Sequence, residues 1–129
     1  MSEPFIESVD CVSLPVRDLD EALAFYGDRL GHELIWRTPT AVGLRLPNSE
    51  AELVLHTEDR PAEVDLKVAS VPEALGRFVA AGGSIIEGPF EIAIGLCALV
   101  ADPSGNRLML LDTSKGLLDT DDQGNVINR

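Results

Sequence analysis

Basic residues, cysteines, aromatics and long apolar runs are all scarce in this chain. Ten Lys and Arg stand against 22 Asp and Glu, a net charge of −12. A surface of that sign repels phosphate backbones and anionic lipid, which sets nucleic-acid and membrane partners aside. A cationic or neutral small ligand suits it better. Cys11 and Cys97 are the only thiols, too few for a disulfide framework. A reduced pair and a cytoplasmic setting are therefore expected. No apolar run approaches the ~20 residues of a membrane helix. The opening MSEPFIESVD has neither the basic flank nor the apolar stretch of a secretion signal. With 45% hydrophobic residues in 129, there is still material for one compact domain, or for two half-domains sharing a core.

What the chain does have is a repeat. Residues 11–31, CVSLPVRDLDEALAFYGDRLG, return as residues 63–83, EVDLKVASVPEALGRFVAAGG. Val12, Leu14 and Val16 fall on Val64, Leu66 and Val68, and Glu21-Ala22-Leu23 falls on Glu73-Ala74-Leu75. Each copy alternates apolar and other residues, then changes to helical spacing and stops at glycine. Each also carries a capping box, Asp18-x-x-Glu21 and Ser70-x-x-Glu73. In such a box the side chains satisfy the amides of a helix start that have no partner within the helix. Two boxes at the same offset point to a duplicated strand–helix unit.

Taken in order, residues 1–9 read as a lead-in and 12–16 as a strand. A helix is expected over 19–30, with Leu19, Ala22, Leu23, Tyr26 and Leu30 on its buried stripe and Gly31 as its stop. Strands at 33–38, 41–46 and 52–57 follow, and residues 58–62 form a polar connector. The second unit has a strand at 63–68, a helix at 71–81, a strand at 84–87 and a long loop at 88–94. Strands at 95–101 and 107–111 flank the turn Asp102-Pro103-Ser104-Gly105-Asn106. This gives two βαβββ modules, about 10–58 and 63–112, in one domain spanning 1–113. A polar tail expected to be mobile occupies 114–129.

Alternation then locates a site. The Val/Leu/Val face of each first strand must pack under its helix, with Leu53, Leu55, Leu108 and Leu110 beside it. Cys11, Ser13, Val54, His56, Glu63, Asp65, Lys67, Met109 and Leu111 are left on the opposite face. Two curled sheets side by side, helices outside, would make these the floor of an eight-stranded trough. The symmetric set at its centre is Cys11, Val54, Glu63 and Met109.

The Val12-x-Leu14-x-Val16-x-Asp18 entry, Phe25-Tyr26, Leu30-Gly31, Gly82-Gly83 and the Asp102–Asn106 turn together resemble one known group. It is the glyoxalase/bleomycin-resistance/dioxygenase group, the vicinal oxygen chelate superfamily, and the likeness runs from about residue 10 to 113. The resemblance implies an α+β fold of two βαβββ modules, the glyoxalase/bleomycin resistance/dihydroxybiphenyl dioxygenase fold, and a homodimer. It further implies that metal-using members carry His, Glu, His and Glu where this chain has Cys11, Val54, Glu63 and Met109. Val54 has no lone pair, and a thioether is a poor ligand for Zn²⁺ or Mg²⁺. No metal cofactor is therefore expected, and a resistance-type protein that binds a small molecule is the favoured reading.

Each candidate has a plainer reading beside it. Glu63 is a general base in a trough, or a solvated strand residue paired with Lys67. Cys11 is a nucleophile if His56 comes within reach, or packing material. His56 contacts ligand or replaces a missing metal ligand, or is a histidine at a pocket rim. Trp36 stacks on ligand or belongs to the core. Arg37 and Arg45 meet an anionic group or lie on solvated sheet, and His32 reads as surface. Val54, Trp36, Met109 and Leu111 would supply apolar contact, and Glu63, Asp65 and His56 polar anchors. The competing class is a metal-dependent lyase, isomerase or dioxygenase whose displaced site uses His56 and Glu63. A third is a scaffold whose trough is filled by its own side chains.

Overall fold

The computed structural model describes residues 4–116 and 118–127. Among them the strands are β1 (Ile6–Pro15), β2 (Leu34–Arg37), β3 (Ala41–Arg45), β4 (Glu52–His56), β5 (Glu63–Val68), β6 (Ser84–Ile92), β7 (Gly95–Ala101) and β8 (Arg107–Leu111). Helix α1 (Leu19–Leu23) follows β1 and helix α2 (Val71–Ala80) follows β5, so the βαβββ plan occurs twice. No helix among the described residues is long and apolar enough to cross a membrane. The chain divides into two compact units, Asp10–Glu63 with Leu118–Arg129, and Val64–Leu117 with Met1–Val9.

In the first unit the strand order is β2-β3-β4-β1, with β1 parallel to β4 and the other neighbours antiparallel. Asp18 takes extended backbone angles, and its carboxylate accepts the Glu21 N–H at 2.8 Å, starting α1 as the capping box requires. Ala22, Val42, Leu44 and Leu55 are buried together, with Leu14, Val16, Leu19, Leu23, Tyr26, Leu34 and Leu53 around them. Burying leucines such as Leu44 and Leu55 stabilises the fold by about 1.5–3 kcal/mol each.

The helix is not α-helical to its end. From Ala24 to Arg29 it is a π-helix, with the Leu30 N–H bonded to the Phe25 carbonyl at 3.0 Å. Wider turns rotate successive side chains off the α-helical stripe. Leu30, expected to be buried, is therefore 52% exposed.

The second unit has the order β5-β8-β7-β6, with β5 parallel to β8. The Ser70 hydroxyl accepts the Glu73 N–H, Pro72 occupies the first turn of α2, and Gly82 follows the helix at φ +112. Its core is Val68, Val71, Ala74, Leu75, Ala98, Val100 and Leu110. Two segments depart from expectation. Residues 6–9, read as a lead-in, begin β1 with both faces exposed, a placement that leaves no period-two signal. Phe5 before them packs on the second core beneath the Arg77 guanidinium, 4.8 Å from its ring centroid. The stretch read as a loop from Gly88 continues β6 to Ile92. Register shifts along β6 and a positive φ at Gly88 accommodate a glycine–proline pair that argues against a regular strand.

The tail also departs from expectation. Asp121 Oδ1 accepts the Gln123 and Asn125 N–H groups and Oδ2 accepts the Asn125 side-chain amide. Asp102 does the same with Ser104 and Asn106, so Asp-x-x-Gly-Asn occurs twice as one turn. The second copy sets the chain against β2, where the Arg37 N–H donates to the Gly124 carbonyl at 2.7 Å and the Arg37 carbonyl accepts from the Val126 N–H at 2.9 Å. The polar composition of residues 118–127 gave no sign of this pairing.

One buried carboxylate ties the second unit together. Asp112 accepts the Val71 N–H at 2.9 Å, the Leu96 N–H at 3.0 Å and both the N–H and hydroxyl of Ser114. A side chain at Gly95 would overlap that carboxylate. Burial alone would raise the Asp112 carboxyl, but its donors outweigh burial and hold it below the usual carboxylate range. A depressed carboxyl stabilises the fold above its unfolded value and loses that contribution as pH falls through the folded one. Asp112→Asn is expected to cost about 1–3 kcal/mol at neutral pH and to flatten the loss of stability below about pH 4. Urea unfolding across that range measures both; an unchanged acid limb would place the titration elsewhere.

Candidate functional site

Register decides which residues of the first unit share a face. Ser13 lies opposite Val54, Val54 opposite Gly43, Pro15 opposite His56, and His56 opposite Ala41. Leu14, Val42 and Leu55 fill the helix side, so these rows face away from α1. Cys11, Ser13, Val54 and His56 are all buried there.

Residues 58–62, the polar connector, supply the group that the sequence reading missed. The Arg60 Nη1 donates to Glu63 Oε1 at 2.8 Å and to Ser13 Oγ at 3.1 Å, while its Nε donates to Glu58 Oε1 at 2.9 Å. The Thr40 hydroxyl donates to the other Glu58 oxygen at 2.9 Å. Burial would raise the Glu58 carboxyl, but Arg60 and Thr40 together bring it below its ordinary range. Glu63 is no solvated strand residue: its side chain is 3% exposed, against 31% for Arg60. Nor does it pair with Lys67, which lies 3.4 Å from Glu7 instead. The available signal was the spacing of Glu58, Arg60 and Glu63, an acid on either side of a base.

His56 is not at a rim. It is fully buried, and its Nδ1 accepts the Glu58 N–H at 3.2 Å. Nε2 has no hydrogen-bond partner among the described residues. Burial, then the nearby Arg60 charge, pushes the imidazole pKa down, so the ring is neutral at pH 7. Cys11 lies opposite Glu52, whereas His56 lies opposite Pro15, four residues along β1. At about 3.3 Å per residue that separation takes a Cys11–His56 nucleophile pair out of hydrogen-bond reach.

Trp36 lies across Gly43, where any Cβ would overlap its indole, and its Nε1 donates to Glu52 Oε1 at 2.6 Å. Burial pushes the Glu52 carboxyl up; the Trp36 N–H and Arg45 oppose this and Asp10 adds to it. Arg45 pairs with Glu33 at the exposed edge, and half-buried His32 meets the Arg45 carbonyl at 3.1 Å. In the second unit Asp65 lies opposite Met109 and Lys67 opposite Leu111, on the face away from α2. Leu111 is buried and Met109 half-buried.

Comparison with known proteins reads the same architecture. The Glyoxalase/Bleomycin resistance protein/Dioxygenase superfamily model matches residues 8–110. The chain belongs to this superfamily. An uncharacterized protein of Mycolicibacterium smegmatis (strain ATCC 700084 / mc(2)155) is 34% identical over 112 residues, 83% of this chain and 95% of its own length. Methylmalonyl-CoA epimerase from Mycobacterium tuberculosis superposes with a TM-score of 0.71 at 17% identity, covering 88% of this chain and 93% of that one. The Mn(II)-bound glyoxalase from Novosphingobium aromaticivorans gives 0.63 at 20% identity, covering 84% of this chain and 40% of that one. At such identities the structural likeness shows the fold alone.

A divalent metal is what the superfamily implies at Cys11, Val54, Glu63 and Met109, and the residues of the first unit do not fit one. Val54 offers no donor atom, and the Glu63 carboxylate is already held by a guanidinium that would repel an arriving cation. Among the described residues no group of three or more His, Cys, Asp and Glu could hold an ion.

Removing one partner of a buried ion pair strands the other. Arg60→Met is therefore expected to cost about 2 kcal/mol, less than a fully buried pair because Arg60 is partly exposed. Arg60→Lys should lose less, keeping the charge without the forked geometry. Arg60→Met combined with Glu63→Leu should recover most of the loss. Urea denaturation of the three variants checks the order, and a double variant no better than Arg60→Met would refute the coupling.

Proposed function

We propose that this member of the superfamily binds a small molecule without a metal, in the manner of a sequestering resistance protein. The observation that carries this is the Arg60 guanidinium seated on Glu63 and Ser13, a resident positive charge on the carboxylate that a metal would need. Sequestration needs a mostly apolar floor with a few fixed polar anchors, and no activated water. Val54, Trp36, Met109 and Leu111 are proposed as the apolar contacts, and Cys11 and Ser13 as further contacts. His56, Glu63 and Asp65 are proposed as the polar anchors. The proposal includes a homodimer in the cytoplasm, as the low cysteine count and the superfamily resemblance suggest.

The second reading is a metal-dependent lyase, isomerase or dioxygenase using His56 and Glu63. Its support is the Mn(II) bound by the Novosphingobium aromaticivorans glyoxalase, a structural neighbour. Metal content separates the two. Protein purified without chelator is expected to carry well under one divalent ion per chain, with a melting temperature unmoved by EDTA. A thermal-shift screen should find stabilising small molecules, by about 2.7 kcal/mol at a hundred times Kd. Stoichiometric metal whose removal lowers the melting temperature would overturn the proposal in favour of the enzyme.

A further inference from the structure

The buried imidazole edge of His56 has a ligand chemistry of its own. With Nδ1 accepting the Glu58 N–H, the neutral ring carries its proton on Nε2. That N–H is buried with no partner among the described residues, and a buried donor without an acceptor is destabilising. The flanking residues of its row cannot help. Pro15 and Ala41 have no polar side chain, and Val54, the next residue of β4 on this face, has none either. Arg60 holds Ser13, Glu58 and Glu63.

We propose that the Nε2–H of His56 is the anchor for an uncharged oxygen acceptor, a ketone, ester or amide carbonyl, on a small ligand bound at the helix-free face of the first unit. The inference rests on the small-molecule reading above and names the ligand class. The charges that act on His56 decide against the alternatives: Glu58 and Glu63 are negative and Arg60 positive, a local net of one negative charge. An anionic ligand meets that excess. A cationic ligand meets a donor hydrogen and carboxylates already engaged by Arg60. A carbonyl oxygen satisfies the N–H and brings no charge into a site where charge is costly.

Benzamide, benzoate and benzylamine test this, being close in shape and different in charge. The full chain with ¹⁵N-labelled histidine is titrated with each, following the His56 Nε2–H signal, which is assigned by its loss in His56→Phe. Benzamide is expected to move that signal saturably and to bind at least tenfold more tightly than the charged pair, an advantage absent from His56→Phe. If that variant does not fold, the signal that persists in His32→Gln is the one followed: movement with benzamide and none with benzylamine supports the assignment. Equal or tighter binding of a charged probe would overturn it. So would a signal that exchanges with water and ignores all three. Screen compounds that raise the melting temperature without touching the signal would remove this inference and leave the binding-protein reading standing.

Discussion

Strand parity is the constraint from which the rest of this molecule follows. In a half-buried sheet every second residue is committed to one side, and in each unit that side belongs to the helix. Leu14, Val42 and Leu55 meet around Ala22 in the first unit, and Leu66, Val100 and Leu110 around Ala74 in the second. Once those positions are apolar, the residues between them have one place to go. The polar chemistry of the first unit is therefore gathered on the opposite face, with Ser13, His56 and Glu63 buried there.

On that face a salt bridge does what an ion does elsewhere. A buried carboxylate must be neutralised, and a metal is one solution and a guanidinium another. Arg60 reaches Glu63, Ser13 and Glu58 from a short connector, so the charge that balances Glu63 comes from the chain itself and is fixed by three hydrogen bonds. The guanidinium stays charged at any pH the protein meets. It offers no coordination position to exchange.

Much of this is legible in the residues alone. The repeat marks both modules, both capping residues and the sidedness of β1, β4, β5 and β8, because period-two and helical spacing are physical consequences of burial. Edges and exposed pieces are not legible. Residues 6–9 are strand by backbone pairing with no buried face to mark them, and Gly88-Pro89 sits in a strand whose register shifts absorb it. Leu30 misleads because the sequence does not announce a change to π-helical winding. In the site, the alternation places Ser13, Val54 and His56 correctly on one face. It misses Arg60, whose role depends on where a five-residue connector folds back.

The twofold Asp-x-x-Gly-Asn turn has a consequence for how the molecule is made. One copy precedes β8 within the second unit; the other lays residues 125–126 along β2 of the first. Meanwhile the residues before Asp10 go with the second unit, so neither unit is a continuous stretch of chain. On a ribosome, where the polypeptide emerges from one end only, Val64–Leu117 is delivered before the piece that borders β2. The earlier-made unit is thus the later one to be finished, and its edge waits bare while its neighbour's sequence is translated.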